Sequence, residues 1–181
     1  MKNLKDIIQE RLHINKDTGA HHYNYHPKTY NELKELVDKL IEERGNDADL
    51  NDIDTSEITD MSYMFTYSSF DGDISQWDVS NVKNMQEMFY NSKFTGENGD
   101  ISNWDVSNVQ YMYSMFRHSE FNGDISNWNV RKVKDMSYMF CKSKFSGKNG
   151  DISKWDVSNV KDIEGMIYDS PLEKNPPKWY K

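Results

Sequence analysis

The chain holds one cysteine and four prolines in 181 residues, and only 36% of its residues are hydrophobic. Each scarcity excludes something. Cys141 has no partner for an intrachain disulfide and is read as a neutral surface or semi-buried thiol. No apolar run approaches the length of a membrane span, so no membrane span is expected. The first residues, Met1-Lys-Asn-Leu-Lys-Asp-Ile-Ile, carry no apolar signal core and no lipobox cysteine. A cytoplasmic location is therefore expected, with the cell surface as the alternative if the chain has been trimmed. The net charge of −8 disfavours direct nucleic-acid binding, because a phosphate binder needs basic residues to displace counterions. A mean hydropathy of −0.93 would suit disorder in an irregular chain. Here the few apolar residues fall on a schedule.

The schedule is a repeat. Asp73-Ile-Ser-Gln-Trp77-Asp-Val-Ser-Asn-Val returns around Trp104, Trp128 and Trp155, with Asp-to-Asp spacings of 27, 24 and 27 residues. Met-x-x-Met-Phe follows in three copies, Met85 to Phe89, Met112 to Phe116 and Met136 to Phe140. It drifts to Ile163, Met166 and Ile167 in the last copy. A degenerate opening copy runs from Leu50 and Ile53 through Met61, Met64 and Phe65. A fixed period in this range marks stacked repeats, and the insertions Glu97-Asn98-Gly99 and Lys148-Asn149-Gly150 must then sit at exposed corners.

Ile-x-x-Trp-x-Val tracks the L-x-x-L-x-L signature of leucine-rich repeats, and its alternation suits a short strand. The three-and-four spacing from Val82 to Phe89 suits a helical turn. The segment from Leu50 to Ile167 resembles the BspA-like leucine-rich repeats, also found in mycoplasma surface lipoproteins. The expected fold is an α/β repeat, a leucine-rich-repeat-like solenoid of about five coils. Each coil would give one parallel strand and one helical or 3-10 segment. Residues 1–48 are expected to form an N-terminal helical cap, 49–170 the solenoid, and 171–181 a C-terminal cap or tail, all in one structural domain. In the cap, Thr29-Tyr-Asn-Glu32 is a capping box after Pro27, Leu33, Leu36, Val37, Leu40 and Ile41 share one helical face, and Gly45 closes it. A shorter amphipathic helix is expected over Leu4, Ile7, Ile8 and Leu12. Pro171, Pro176 and Pro177 stop the pattern, after which Trp179 and Tyr180 either cover the last coil or meet a partner.

Function is expected on the surface. The residue after each Trp, and its equivalent in the first copy, forms the column Asp54, Asp78, Asp105, Asn129, Asp156. Two readings stand: the side chains hydrogen-bond neighbouring backbone, or they form an acidic strip for a basic partner or a cation. Arg131, Lys132 and Lys134 break the repeat beside that column, as drift or as a partner site. The Asp73, Asp100, Asp124 and Asp151 column is explained by turn formation, since the glycine-rich nonapeptide of calcium-binding solenoids is absent. His21, His22 and His26 cluster without the partner spacing of a zinc site. No nucleophile elbow, P-loop or zinc-protease helix is present, so no catalytic residue, metal or cofactor is assigned. The reading reached is a non-enzymatic module that binds a protein partner through its exposed strand face. One alternative is a phage or mobile-element inhibitor of a nucleic-acid-handling defence protein, acting through its acidic face in the manner of an anti-CRISPR. The other, which the family resemblance implies, is a surface adhesin. The sequence leaves the oligomeric state open.

Overall fold

The structure is a computed structural model that describes residues 22–181. The expected helix over Leu4 to Leu12 and the residue His21 lie outside the described residues. The capping box forms its helix: α1 spans Tyr30–Arg44, with the Thr29 side chain accepting from the Glu32 N–H at 3.3 Å. Glu32 reaches back to accept from the Lys28 N–H at 2.7 Å, one residue before the cap. Gly45 ends α1 at φ 95° while its N–H donates to Ile41 O. Leu33, Val37 and Leu40 are buried.

After α1 the expected strand-plus-helix solenoid does not form. The described residues contain no sheet strand, and beyond α1 the only helical pieces are short 3-10 segments at Ile152–Lys154 and Pro171–Lys174. The repeats are built of β-turns. In the second copy, Trp77 N–H donates to Ile74 O, Val82 to Val79, Met88 to Met85, Tyr90 to Glu87 and Ser92 to Phe89. The apolar spacing of three, read from sequence as a strand step and then a helical step, is instead the first-to-last spacing of successive turns. Two causes override the helix. Asp and Ser side chains engage backbone N–H groups two residues on, which competes with regular structure. The backbone also turns left-handed twice per coil, at Glu87 (φ 53°) and Asn91 (φ 49°) in the second copy, and no helix survives that.

The turns leave one set of backbone groups for the next coil. Across each junction four N–H groups donate to carbonyls of the following coil at 2.7–3.0 Å: Met61 to Asn84, Tyr63 to Gln86, Phe65 to Met88 and Tyr67 to Tyr90 at the first junction. The same register repeats through Met136 to Asp162 and Lys142 to Tyr168 at the last. Isolated parallel bridges mark it, among them Asp60 with Asn84 and Asn84 with Tyr111. This ladder lies on the Met-x-x-Met-Phe segment, whereas the strand was expected on the Trp segment.

Inside, identical side chains stack. Phe65, Phe89, Phe116 and Phe140 follow one another at centroid spacings of 5.4, 5.4 and 5.8 Å, and Phe70, Phe94, Phe121 and Phe145 at 6.4, 6.1 and 6.1 Å. Such offset aromatic pairs add about 0.5–1.5 kcal/mol each to their area burial. Each indole N–H donates to a carbonyl of the coil before: Trp77 to Leu50, Trp104 to Ile74, Trp128 to Ile101 and Trp155 to Ile125. Trp179 continues the column, donating to Ile152 O at 2.9 Å and stacking on Trp155 at 6.4 Å. Cys141 is buried.

The left-handed turn positions generate a prediction. A non-glycine residue held there costs on the order of 1 kcal/mol, and a β-branched one costs more. Replacing Glu87→Gly should leave stability unchanged or raise it by up to about 1 kcal/mol, whereas Glu87→Val should lower it by more than about 1 kcal/mol. Urea unfolding of both variants checks this; a Gly variant as unstable as the Val variant would disprove the strain argument.

Candidate functional site

Each member of the expected acidic column is engaged in its own turn. Asp54 accepts from the Ser56 N–H at 3.1 Å, Asp78 from Ser80 at 2.9 Å, Asp105 from Ser107 at 3.0 Å and Asp156 from Ser158 at 3.1 Å. Asn129 accepts from Arg131 at 3.3 Å in the same way. These bonds favour the ionised carboxylate. The Ser107 hydroxyl and N–H hold Asp105 below the usual carboxylate range, and Ser158 does the same for Asp156. At Asp54, burial pushes the carboxyl up, but the Ser56 hydroxyl and N–H outweigh it and the net direction is down.

A second column obeys the same rule. Asp73, Asp100, Asp124 and Asp151 each accept from the N–H two residues later, at 2.8–2.9 Å. A third does so at Asp60, Asn84, Asp135 and Asp162. Much of the chain's acidity is therefore turn chemistry.

The basic residues of the fourth coil gather at one corner and are partnered there. Arg131 Nε lies 3.6 Å from Asp156 Oδ2. Lys132 Nζ donates to Asn108 Oδ1 at 2.6 Å, and Lys134 Nζ to Gln110 Oε1 at 2.7 Å, above the Tyr111 ring. His26 Nδ1 sits 3.2 Å from Asp54 Oδ2.

The insertions leave exposed side chains at Glu97, Asn98, Lys148 and Asn149. Their effect reaches the Trp side. Indoles stack across the junctions without an insertion, Trp104 on Trp128 at 6.5 Å and Trp155 on Trp179. At the first junction with an insertion, a groove of about 460 Å³ opens beside Trp77 and Trp104, lined also by Gln76, Asp78, Asn103 and Asp105.

The feature that sequence reasoning missed is on the ladder side. Among the described residues, the large aromatic or aliphatic side chains left exposed are Tyr63 (42%), Tyr67 (68%), Tyr111 (44%) and Tyr168 (58%). All four lie on or at the edge of the ladder segment. Half-buried tyrosines of the intervening coils lie on the same segment. Tyr67 meets Tyr90 edge-on at 5.3 Å, Tyr90 meets His118 at 6.0 Å, and Tyr113 meets Tyr138 at 6.3 Å. Arg117 lies over both Tyr90 and Tyr138. The Tyr138 hydroxyl donates to Glu164 at 2.8 Å, and that carboxylate raises the phenol's pKa. A signal was available: these positions vary from coil to coil while the buried ones repeat, and tyrosine fills an unusual share of them. The helix expectation hid that they all face outward.

The family model described as "Mycoplasma protein of unknown function, DUF285" matches residues 31–148 and again 91–179, overlapping as repeated sequence does. The chain belongs to this family. No curated protein matches it. No solved structure matches it either. Among the described residues of this family member, no helix is long and apolar enough to cross a membrane.

The turn carboxylates set a pH dependence. A carboxyl whose folded pKa is depressed contributes stability that is complete above its unfolded value, near 3.8, and is lost as pH falls through the folded value. Asn keeps the acceptor oxygen without the charge, as Asn129 already does. The triple variant Asp54→Asn, Asp105→Asn, Asp156→Asn should thus lose less of its melting temperature between pH 5 and pH 3 than the parent. Equal acid sensitivity in thermal melts would remove these carboxylates from the account.

Proposed function

We propose that the protein is a non-enzymatic protein-binding module and that its partner docks on the tyrosine face of the turn ladder. The observation that carries this is the grouping of every strongly exposed aromatic on one segment of the repeat. A tyrosine offers large contact area, few rotors to freeze and a hydroxyl for polar contacts, and Tyr and Arg dominate the energetics of interfaces. Exposed aromatics scattered singly would mean nothing, but a set confined to one segment of the repeat favours an interaction site. The resemblance of the repeats to BspA-like surface proteins supports a binding role for the stack. The acidic column supports docking less strongly, because each of its members already holds a turn.

Two variants separate the surfaces. One carries Tyr63→Ser, Tyr67→Ser, Tyr111→Ser and Tyr168→Ser; the other carries Asp78→Asn, Asp105→Asn and Asp156→Asn. A partner captured by the parent chain and identified by mass spectrometry should bind the tyrosine variant at least about tenfold more weakly, since interface aromatics cost more than about 1 kcal/mol when truncated. Circular dichroism should show both variants folded. Retained binding by the tyrosine variant, with loss in the aspartate variant, would sink the assignment.

A further inference from the structure

Arg117 occupies the middle of the tyrosine face. Its guanidinium carbon lies 5.2 Å from the centroid of Tyr138 and 5.9 Å from that of Tyr90. Its Nε is buried and has no hydrogen-bond partner. A guanidinium is a planar fork of N–H donors that is never deprotonated in a protein. The buried Nε–H, with no acceptor, is a cost that the rest of the group's contacts must offset. Two aromatic faces hold it in place, so little rotamer freedom remains to be lost when a ligand arrives.

Two more basic side chains stand near it in a chain of net charge −8. His118 packs on Tyr90, and Lys142 is exposed in the next coil of the same column. Burial, together with the charges of Arg117 and Lys142, depresses the His118 pKa. Carboxylates lie on this face too, among them Glu87, Glu164 and, in the coil after Lys142, Asp169. Glu164 is held by the Tyr138 hydroxyl, and none of them accepts from the Arg117 Nε.

We propose that Arg117 anchors a carboxylate of an acidic protein segment laid across the tyrosine ladder, with Lys142 and His118 beside it. The inference rests on the reading of this face as the docking surface. A carboxylate fits the fork in a bidentate pair, which supplies orientation as well as attraction. An unpaired guanidinium supplies a local attraction for an acidic partner, while the acidic surface repels that partner elsewhere. A nucleic acid requires several phosphate contacts to overcome the overall negative charge, and two full cations do not supply them.

The test uses the whole chain with a blocked oligoglutamate peptide as probe, following the Arg117 Nε–H resonance by NMR. Oligoglutamate should shift that resonance and bind about tenfold more weakly to Arg117→Gln. An oligodeoxythymidylate of equal charge should bind no more tightly than the peptide; tighter binding would overturn the partner class. Arg117→Met keeps the stem and removes the unfilled donors, so its melting temperature should not fall. A fall together with unchanged oligoglutamate affinity would make Arg117 a structural clamp and end the proposal. The docking reading itself fails differently: there, the four-tyrosine variant keeps the captured partner. If that variant loses the partner while Arg117→Gln retains both it and oligoglutamate, the face stands and the carboxylate anchor does not.

Discussion

Every backbone N–H and C=O removed from water needs a partner, and in this chain turns within each coil supply some and the neighbouring coils supply the rest. The ladder from Met61–Tyr67 to Asn84–Tyr90 and onward is one-directional: N–H groups face the following coil and carbonyls the preceding one. That arrangement requires left-handed residues at Tyr63 and Tyr67 and their equivalents. The strain is local and the gain is shared, because the four ladder donors of each coil are satisfied only when the next coil is present. The stack therefore needs end pieces. At the start α1 packs Leu33, Val37 and Leu40 into the core. At the end Glu173 accepts from the Asp169 N–H at 3.0 Å, Tyr180 lies against Ile167, and Trp179 covers Trp155.

The Phe columns and the Trp column answer the insertions differently. Phe89 to Phe116 spans an insertion and Phe65 to Phe89 does not, yet both spacings are 5.4 Å. The Trp side absorbs the extra residues instead. Its indoles stack closely at the shorter junctions, and the groove beside Trp77 and Trp104 opens at a longer one. The ladder side is thus the rigid spine of the molecule, and side chains mounted on it hold fixed relative positions. That is what makes Tyr67, Tyr90, Arg117 and Tyr138 one surface.

The repeat, its register and the identity of the core were legible in the chain, because Trp77, Phe89 and Phe94 recur wherever the interior must be filled. So was α1, whose cap and closing glycine are local signals. The backbone of the repeats was not. Apolar residues three apart serve a helical face or a row of β-turns equally well, and only the Asp and Ser side chains favour turns. The turn role of Asp73 was legible and that of Asp78 was one of two readings, whereas Asn84, the third capped corner of the same coil, gave no signal. The tyrosine face was hidden for the same reason: on a helical segment Tyr63 and Tyr67 lie on one side, whereas alternating turns turn Tyr67, Tyr90, Tyr113 and Tyr138 toward a common surface.

In a stacked repeat the conserved letters and the informative letters are different. Trp, Phe, Met and the turn aspartates recur because each coil must solve the same packing and hydrogen-bonding problem, so their recurrence speaks of architecture. The turn aspartates are a case where this matters for charge. A net −8 invites an electrostatic account, yet Asp73, Asp78, Asp105 and Asp156 are each engaged by a backbone N–H. Positions that the architecture leaves free are read one coil at a time. The column after the ladder Phe runs Thr66, Tyr90, Arg117, Cys141, Tyr168, and of these only Arg117, held between Tyr90 and Tyr138, carries a buried side-chain donor with no acceptor.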